Sequence, residues 1–299
     1  MASLKEIKGR IGSVESTLKI TSAMKMVASA KLHKAQQAIE SMLPYNRRLS
    51  GIMQSLVTGG AKVASPLSQP HDAVRHVTLV AIASNSSLCG GYNANMVRHT
   101  AAALRRHIAD GAAVTVYVIG RKLDQSLQKL QKGKGALAFE LVRDYVELGD
   151  NPKYATAQTI AQRLMDDYEA GRIDRAELLY MHFKSTASQV PTLQPFLPLQ
   201  LDDAAGCKKA AAAPAERRYI IEPSPAEVVA ALIPDALRMK VYTALLDAQA
   251  AEHAARTVAM QTATDNANEL LDELRLAYNK GRQAAITAEL LDIVGGSMQ

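Results

Sequence analysis

The chain has 299 residues, 48% of them apolar and 21% charged, with a formal net charge of +6, a globular composition that excludes disorder as its main theme. Aromatics make up only 4%, Trp is absent and alanine abounds, a balance that suits close-packed helices better than a sandwich or barrel. No run of about 18 apolar residues exists to span a bilayer, and the opening MASLKEIKGR lacks the apolar core of a secretory signal, so a cytoplasmic location is expected.

The positive charge is concentrated at one end. In residues 1–50 nine Lys or Arg face three acids, whereas in residues 224–299 six face ten. Terminal segments of opposite sign either attract one another or meet different partners.

Residues 1–57 read as one helix. Leu4, Ile7, Ile11, Val14 and Leu18, then Ala28, Leu32, Ala35, Ile39 and Met42, recur at alternating steps of three and four, the mark of a left-handed coiled coil. Thr21 and Lys25 occupy the two missing slots, and there Ile20, Met24 and Val27 carry the apolar character on a neighbouring stripe. Residues 58–75 are a linker by their Gly, Ser and Pro content.

From 76 to 222 strands and helices alternate. HVTLVAIAS (76–84), VTVYVIG (114–120), ALAFELVRDYVEL (136–148) and AELLYMHFKS (176–185) read as strands, with helices over 92–111, 121–131 and 154–171. The pattern predicts a small parallel α/β layer. Residues 186–224 read as a polar, Pro-rich surface loop, low in complexity at about 203–218, with RYIIEP adding an edge strand. Residues 223–299 read as a long C-terminal coiled-coil helix, with no proline after Pro234. A helix of some sixty residues spans about 90 Å and needs an apolar partner along its length, and the N-terminal helix is the available one. The expected fold is thus a small Rossmann-like α/β domain inserted between long N- and C-terminal helices that pair as an antiparallel coiled coil.

Few motifs carry chemistry. SNSSLCGGYN (84–93) sits between the first strand and a helix, where α/β enzymes place a nucleophile or phosphate turn. A full GxGxxG and a Walker sequence are absent, so Cys89, Gly90 and Gly91 read as a structural turn, with Asn93 near the helix start. Cys207, the other cysteine, has no CxxC spacing with Cys89, and the seven histidines form no HExxH pair, which leaves a disulfide framework, a zinc site and metal catalysis without support. The N-terminal lysines lack interleaved aromatics, so a nucleic-acid interface is not expected.

The order of a long helix, a small α/β domain and a longer helix, together with KITSAMKMVASAKLHKAQ, LCGGYN, GDNP (149–152), SQVPT (188–192), EHAARTVAMQTATDNANEL and RQAAITAELLDIVGG, resembles the gamma subunits of bacterial F-type ATP synthases over nearly the whole chain. It departs from that family at Asn85, Ser86 and Ser87, where an acid and a further glycine are usual, and at Ser297, where alanine is usual. The resemblance implies one copy per complex, standing inside a ring of three alpha and beta pairs on the cytoplasmic face of the bacterial membrane, with the epsilon subunit and the membrane c-ring as further partners. It implies a rotating central stalk that couples proton flow to ATP synthesis, with no cofactor and no catalysis of its own. Met24 and Lys25, with Arg256, Arg282, Gln283, Thr287 and Glu289, match positions that contact the alpha/beta hexamer. The rival readings are a stand-alone α/β enzyme using Cys89 and a coiled-coil adaptor or nucleic-acid binder using the basic helix.

Overall fold

The computed structural model describes residues 3–58, 65–133, 135–199 and 221–296. Two long helices start in the same way. Ser3 Oγ accepts from the Glu6 amide at 3.2 Å ahead of α1 (Leu4–Thr58). Ser224 Oγ accepts from the Glu227 amide at 3.3 Å and donates to the Glu227 carboxylate at 2.9 Å ahead of α5 (Pro225–Gly296). The Ser-x-x-Glu spacing satisfies amides that the first helical turn leaves without a carbonyl, and Pro225 at the first helical position has no amide to satisfy. Helix α5 therefore begins well before Pro234, which lies inside it, as Pro44 lies inside α1.

Between these helices run β1 (His76–Ile82), α2 (Tyr92–Ala109), β2 (Ala113–Ile119), α3 (Arg121–Lys132), β3 (Glu140–Val142), α4 (Tyr154–Glu169), β4 (Arg175–Ser185) and β5 (Ser188–Leu197). The sheet order is β3-β2-β1-β4-β5. The first four strands are parallel and β5 is antiparallel to β4, so the sheet is mixed rather than wholly parallel. Because side chains alternate across a strand, Leu79 and Ala81 of β1 join one core with Val114, Val116 and Val118 of β2, under α2 and α3. Val80, Ile82, Tyr117 and Ile119 face the other core, filled by α4 and by Leu49, Met53, Val229, Ile233 and Leu237 of the long helices.

Two expectations are corrected here. The strand expected over 136–148 is only Glu140–Val142, followed by a 3-10 turn at Val146–Asp150. Arg143 leaves the edge to hold buried Asp124 of α3 through two hydrogen bonds of 2.9 Å, and Tyr145 stacks on Tyr117. The surface loop expected over 186–224 begins instead with β5. Pro191 and Pro195 lie within it, which an edge strand tolerates because its outward amides have no ladder partner. Inside the expected linker, Pro66–Ser68 forms a 3-10 turn whose Leu67 is buried in the core. The low-complexity 203–218 segment, the start of RYIIEP and Ser297 lie outside the described residues.

The chain divides into two compact units, Met1–Ala30 with Arg256–Gln299, and Lys31–Ala255. In the second, Leu32 and Ala35 pack with Ala250 and Ala254, and Asn46 Nδ2 donates to Thr243 Oγ1 at 3.3 Å. Residue numbers rise on α1 as they fall on α5, so the pairing there is antiparallel.

Candidate functional site

All seven positions expected to contact partners fall in the unit of Met1–Ala30 with Arg256–Gln299. The register of this unit is antiparallel as well. A Cβ on Gly281 would sit 3.1 Å from Leu4 Cδ2, Arg275 Nη2 donates to Glu15 Oε1 at 3.0 Å, and Thr264 Oγ1 lies 3.0 Å from Thr21 Oγ1. The apolar seam holds this pairing, with Leu4, Ile7, Ile11, Val14 and Leu18 half-buried and Thr21 and Ala28 buried. Opposite them Met260, Ala267 and Leu271 are buried.

Thr21 thus fills its seam slot. Its hydroxyl donates to the Leu18 carbonyl at 3.1 Å and accepts from Thr264, which makes a polar group tolerable at a buried position. Lys25, in the next slot, is half-buried, as is Met24 beside it. The outward stripe is Ile20, Met26 and Val27, each more than half exposed. The sequence marked Ile20 and Val27 as a second apolar stripe, but gave no sign that Met26 rather than Met24 turns fully outward.

The C-terminal positions form a separate group. Arg256 is half-buried, while Arg282, Gln283, Thr287 and Glu289 are exposed, and Thr287 Oγ1 donates to the Gln283 carbonyl at 2.9 Å. From Arg256 to Arg282 the helix advances by about 40 Å at 1.5 Å per residue. The structure therefore brings Met24, Lys25 and Arg256 toward one end of this unit and leaves the other four past the start of α1. Around those four, Leu276, Ile286, Leu290, Leu291 and Ile293 are exposed. These residues form an extended exposed surface rather than a pocket.

The turn at 84–93 is a closed structure. Leu88 and Gly90 adopt left-handed backbone, with φ of 66° and 57°. Gly91 caps α2, and the Tyr92 amide donates to the Cys89 carbonyl at 3.3 Å. Cys89 is buried, and its sulfur accepts from Asn93 Nδ2 at 3.2 Å, while Asn93 Oδ1 accepts from the Ser84 amide at 3.2 Å. The left-handed Leu88 had no signal in the sequence. Tyr92 adds a further link, donating from its hydroxyl to the Ala248 carbonyl at 3.1 Å, and burial, with the Glu252 carboxylate close by, pushes that hydroxyl well above its ordinary range. Among the described residues no group of three His, Cys, Asp or Glu side chains is placed to hold a metal ion.

A family model described as ATP synthase matches residues 3–298. A Phocaeicola vulgatus protein named ATP synthase gamma chain is 50% identical over 299 residues, covering 100% of both chains. The chain belongs to the ATP synthase gamma chain family. A protein of the same name from Bacteroides thetaiotaomicron is 48% identical over 100% of both chains, and one from Flavobacterium johnsoniae is 42% identical over 99% of this chain and 98% of its own. Among solved structures, a chain from the Tetrahymena thermophila mitochondrial ATP synthase central stalk and c-ring is 26% identical, with a TM-score of 0.56, covering 82% of this chain and 99% of that one. A chain of the Euglena gracilis mitochondrial ATP synthase, 19% identical with a TM-score of 0.62, shares the fold over 99% of this chain.

Proposed function

We propose that the chain is the central stalk of the F1 sector of a bacterial F-type ATP synthase, one copy per complex. It turns inside the alpha/beta hexamer and couples proton flow to ATP synthesis, or hydrolysis to pumping. The observation that carries this reading is the full-length match to gamma chains at up to 50% identity. The antiparallel helix pair supports it physically. A single asymmetric rod inside a ring of threefold symmetry presents a different face to each pair, and differential contact energy then biases each site differently.

In this reading Met24, Lys25 and Arg256 take the torque-bearing contacts, and Arg282, Gln283, Thr287 and Glu289 sit nearer the bearing. The exposed aliphatic residues Leu290, Leu291 and Ile293 give that end weak, non-directional contacts compatible with turning. The chain binds no nucleotide and makes no bond itself. It sits at the cytoplasmic face of the inner membrane through its complex, with the epsilon subunit and c-ring as further partners. The buried Cys89 fits a structural turn better than a nucleophile.

Affinity purification of the tagged chain from native membranes tests the proposal. Recovery with ATP-hydrolysing alpha and beta chains is expected, and deletion of residues 287–299 should weaken ATP-driven pumping while the α/β domain stays folded. A free monomer with no such chains would overturn the reading.

A further inference from the structure

The α2 and α3 layer carries a predominantly positive charge, broken by exposed Asp110 at the end of α2, that the central-stalk reading leaves unexplained. On the solvent face of α2 the exposed residues are Ala94, Arg98, Ala102, Arg105, Arg106 and Ala109. On α3, Arg121, Gln125, Lys129 and Lys132 are exposed, Arg121 paired with Glu147 at 3.2 Å, with Lys122 half-buried on the face of Lys129. Both helices cover one core. Residues 92–132 contain two acids, Asp110 and Asp124, and Asp124 is buried against Arg143. Arg106 lies 3.8 Å from the buried Glu177, whereas among the described residues no carboxylate ion-pairs with Arg98, Arg105, Lys122, Lys129 or Lys132. By contrast α4, in the other layer, carries Asp166, Asp167 and Glu169, and its Arg163 pairs with Asp144.

A surface shaped by solubility alone intersperses the two signs, because like charges on one face repel. We infer that the paired α2 and α3 faces form a docking surface for an acidic helical segment of a partner protein. The cations repeat at seven residues on each helix, Arg98 with Arg105 and Lys122 with Lys129, a spacing of about 10.5 Å. Carboxylates two turns apart on a helix laid across these faces meet that spacing, and the arginine forks suit carboxylates. A lipid surface fits less well, since no large apolar side chain is exposed between 92 and 132 to anchor in a membrane interface. Nor do aromatics stand among the cations to stack on bases.

The test uses the full-length chain and a fluorescent helical peptide of three AEAAAEA repeats. The variant Arg98→Glu/Arg105→Glu/Lys129→Glu/Lys132→Glu is expected to bind it at least tenfold more weakly. A control with four changes on α1, Lys5→Glu/Lys8→Glu/Lys19→Glu/Lys34→Glu, should bind within twofold of wild type. Circular dichroism checks both folds, and Arg98→Gln/Arg105→Gln should give an intermediate loss. Equal weakening in the control, or none in the first variant, would overturn the proposal. So would tighter binding through this face to phosphatidylglycerol vesicles or a DNA duplex. In native membranes, benzoylphenylalanine at Ala102 should crosslink to an acidic helical segment, and adducts with lipid alone, or none, would sink it.

Discussion

Glu177 of β4 and His107 of α2 stand 70 positions apart, yet Nε2 of the buried histidine lies 2.9 Å from a buried carboxylate oxygen. Burial alone would push the Glu177 carboxyl up. The hydrogen bond and charge of His107, with Arg106 and Arg175 nearby, outweigh burial and hold it below its ordinary value. The stabilisation is therefore fully present above the unfolded value of about 4.3 and is lost as pH falls through the lower folded value. Asp174 is lowered too, against its own burial, by His71 and the amides of His76 and Arg75, so it acts in the same window. Glu177→Gln should flatten the fall in urea midpoint on acidification below about pH 4, the unfolded carboxylate range, and an unchanged slope would show that other carboxylates dominate. Asp247 has the opposite sign, because burial raises its carboxyl despite the His182 contact and the Phe183 amide, so its cost is relieved as pH falls. Gly120 has a different constraint. Its φ is +106°, and a Cβ there would lie 2.5 Å from the Ala83 carbonyl oxygen, so Gly120→Ala should destabilise by about 2 kcal/mol or more in urea titration. Neither feature was legible in the sequence, because the sheet creates both juxtapositions.

The long-helix seam was legible because each turn repeats the same small signal, so Leu4, Ile7, Ile11, Val14 and Leu18 reinforce one another. Single-residue signals misled where tertiary context overrode them. Pro191 and Pro195 argued against a strand, and an edge position removed the objection. Pro234 sits inside α5, because Ser224 and Glu227 cap a helix that starts nine residues before it, close to the expected 223. Ser224→Ala should lower stability by about 1 kcal/mol and loosen the first turn of α5, read as faster amide exchange at Glu227 and Val228. Pro44 lies exposed within α1 without an amide to donate. Pro44→Ala should therefore stabilise the isolated chain, by up to about 3 kcal/mol, and a lower urea midpoint would show that the ring fits its site better than alanine.

The two units differ in how much each buries. Among the described residues of the unit of Met1–Ala30 with Arg256–Gln299 the buried apolar ones are Ala28, Met260, Ala267 and Leu271, whereas the other unit encloses two large clusters around its sheet. Local opening should follow that difference. In the isolated chain, amides of residues 4–30 and 257–290 should exchange about tenfold or more faster than those of β1 and β4, and the gap should narrow inside a complex that covers Ile20, Met26 and Val27. Equal protection in the free chain would mean that the seam alone suffices. Roles for Met24, Lys25 and the C-terminal positions came from family likeness, since a contact residue is defined by a surface that one chain does not contain. Thr21 and Thr264 carry a last consequence. Apolar seams tolerate a shift by one heptad, but hydroxyls 3.0 Å apart would lose their contact across the seam if the helices slid, keeping only the Leu18 and Met260 carbonyls of their own helices. The pair therefore favours one register of this unit over a heptad-shifted one.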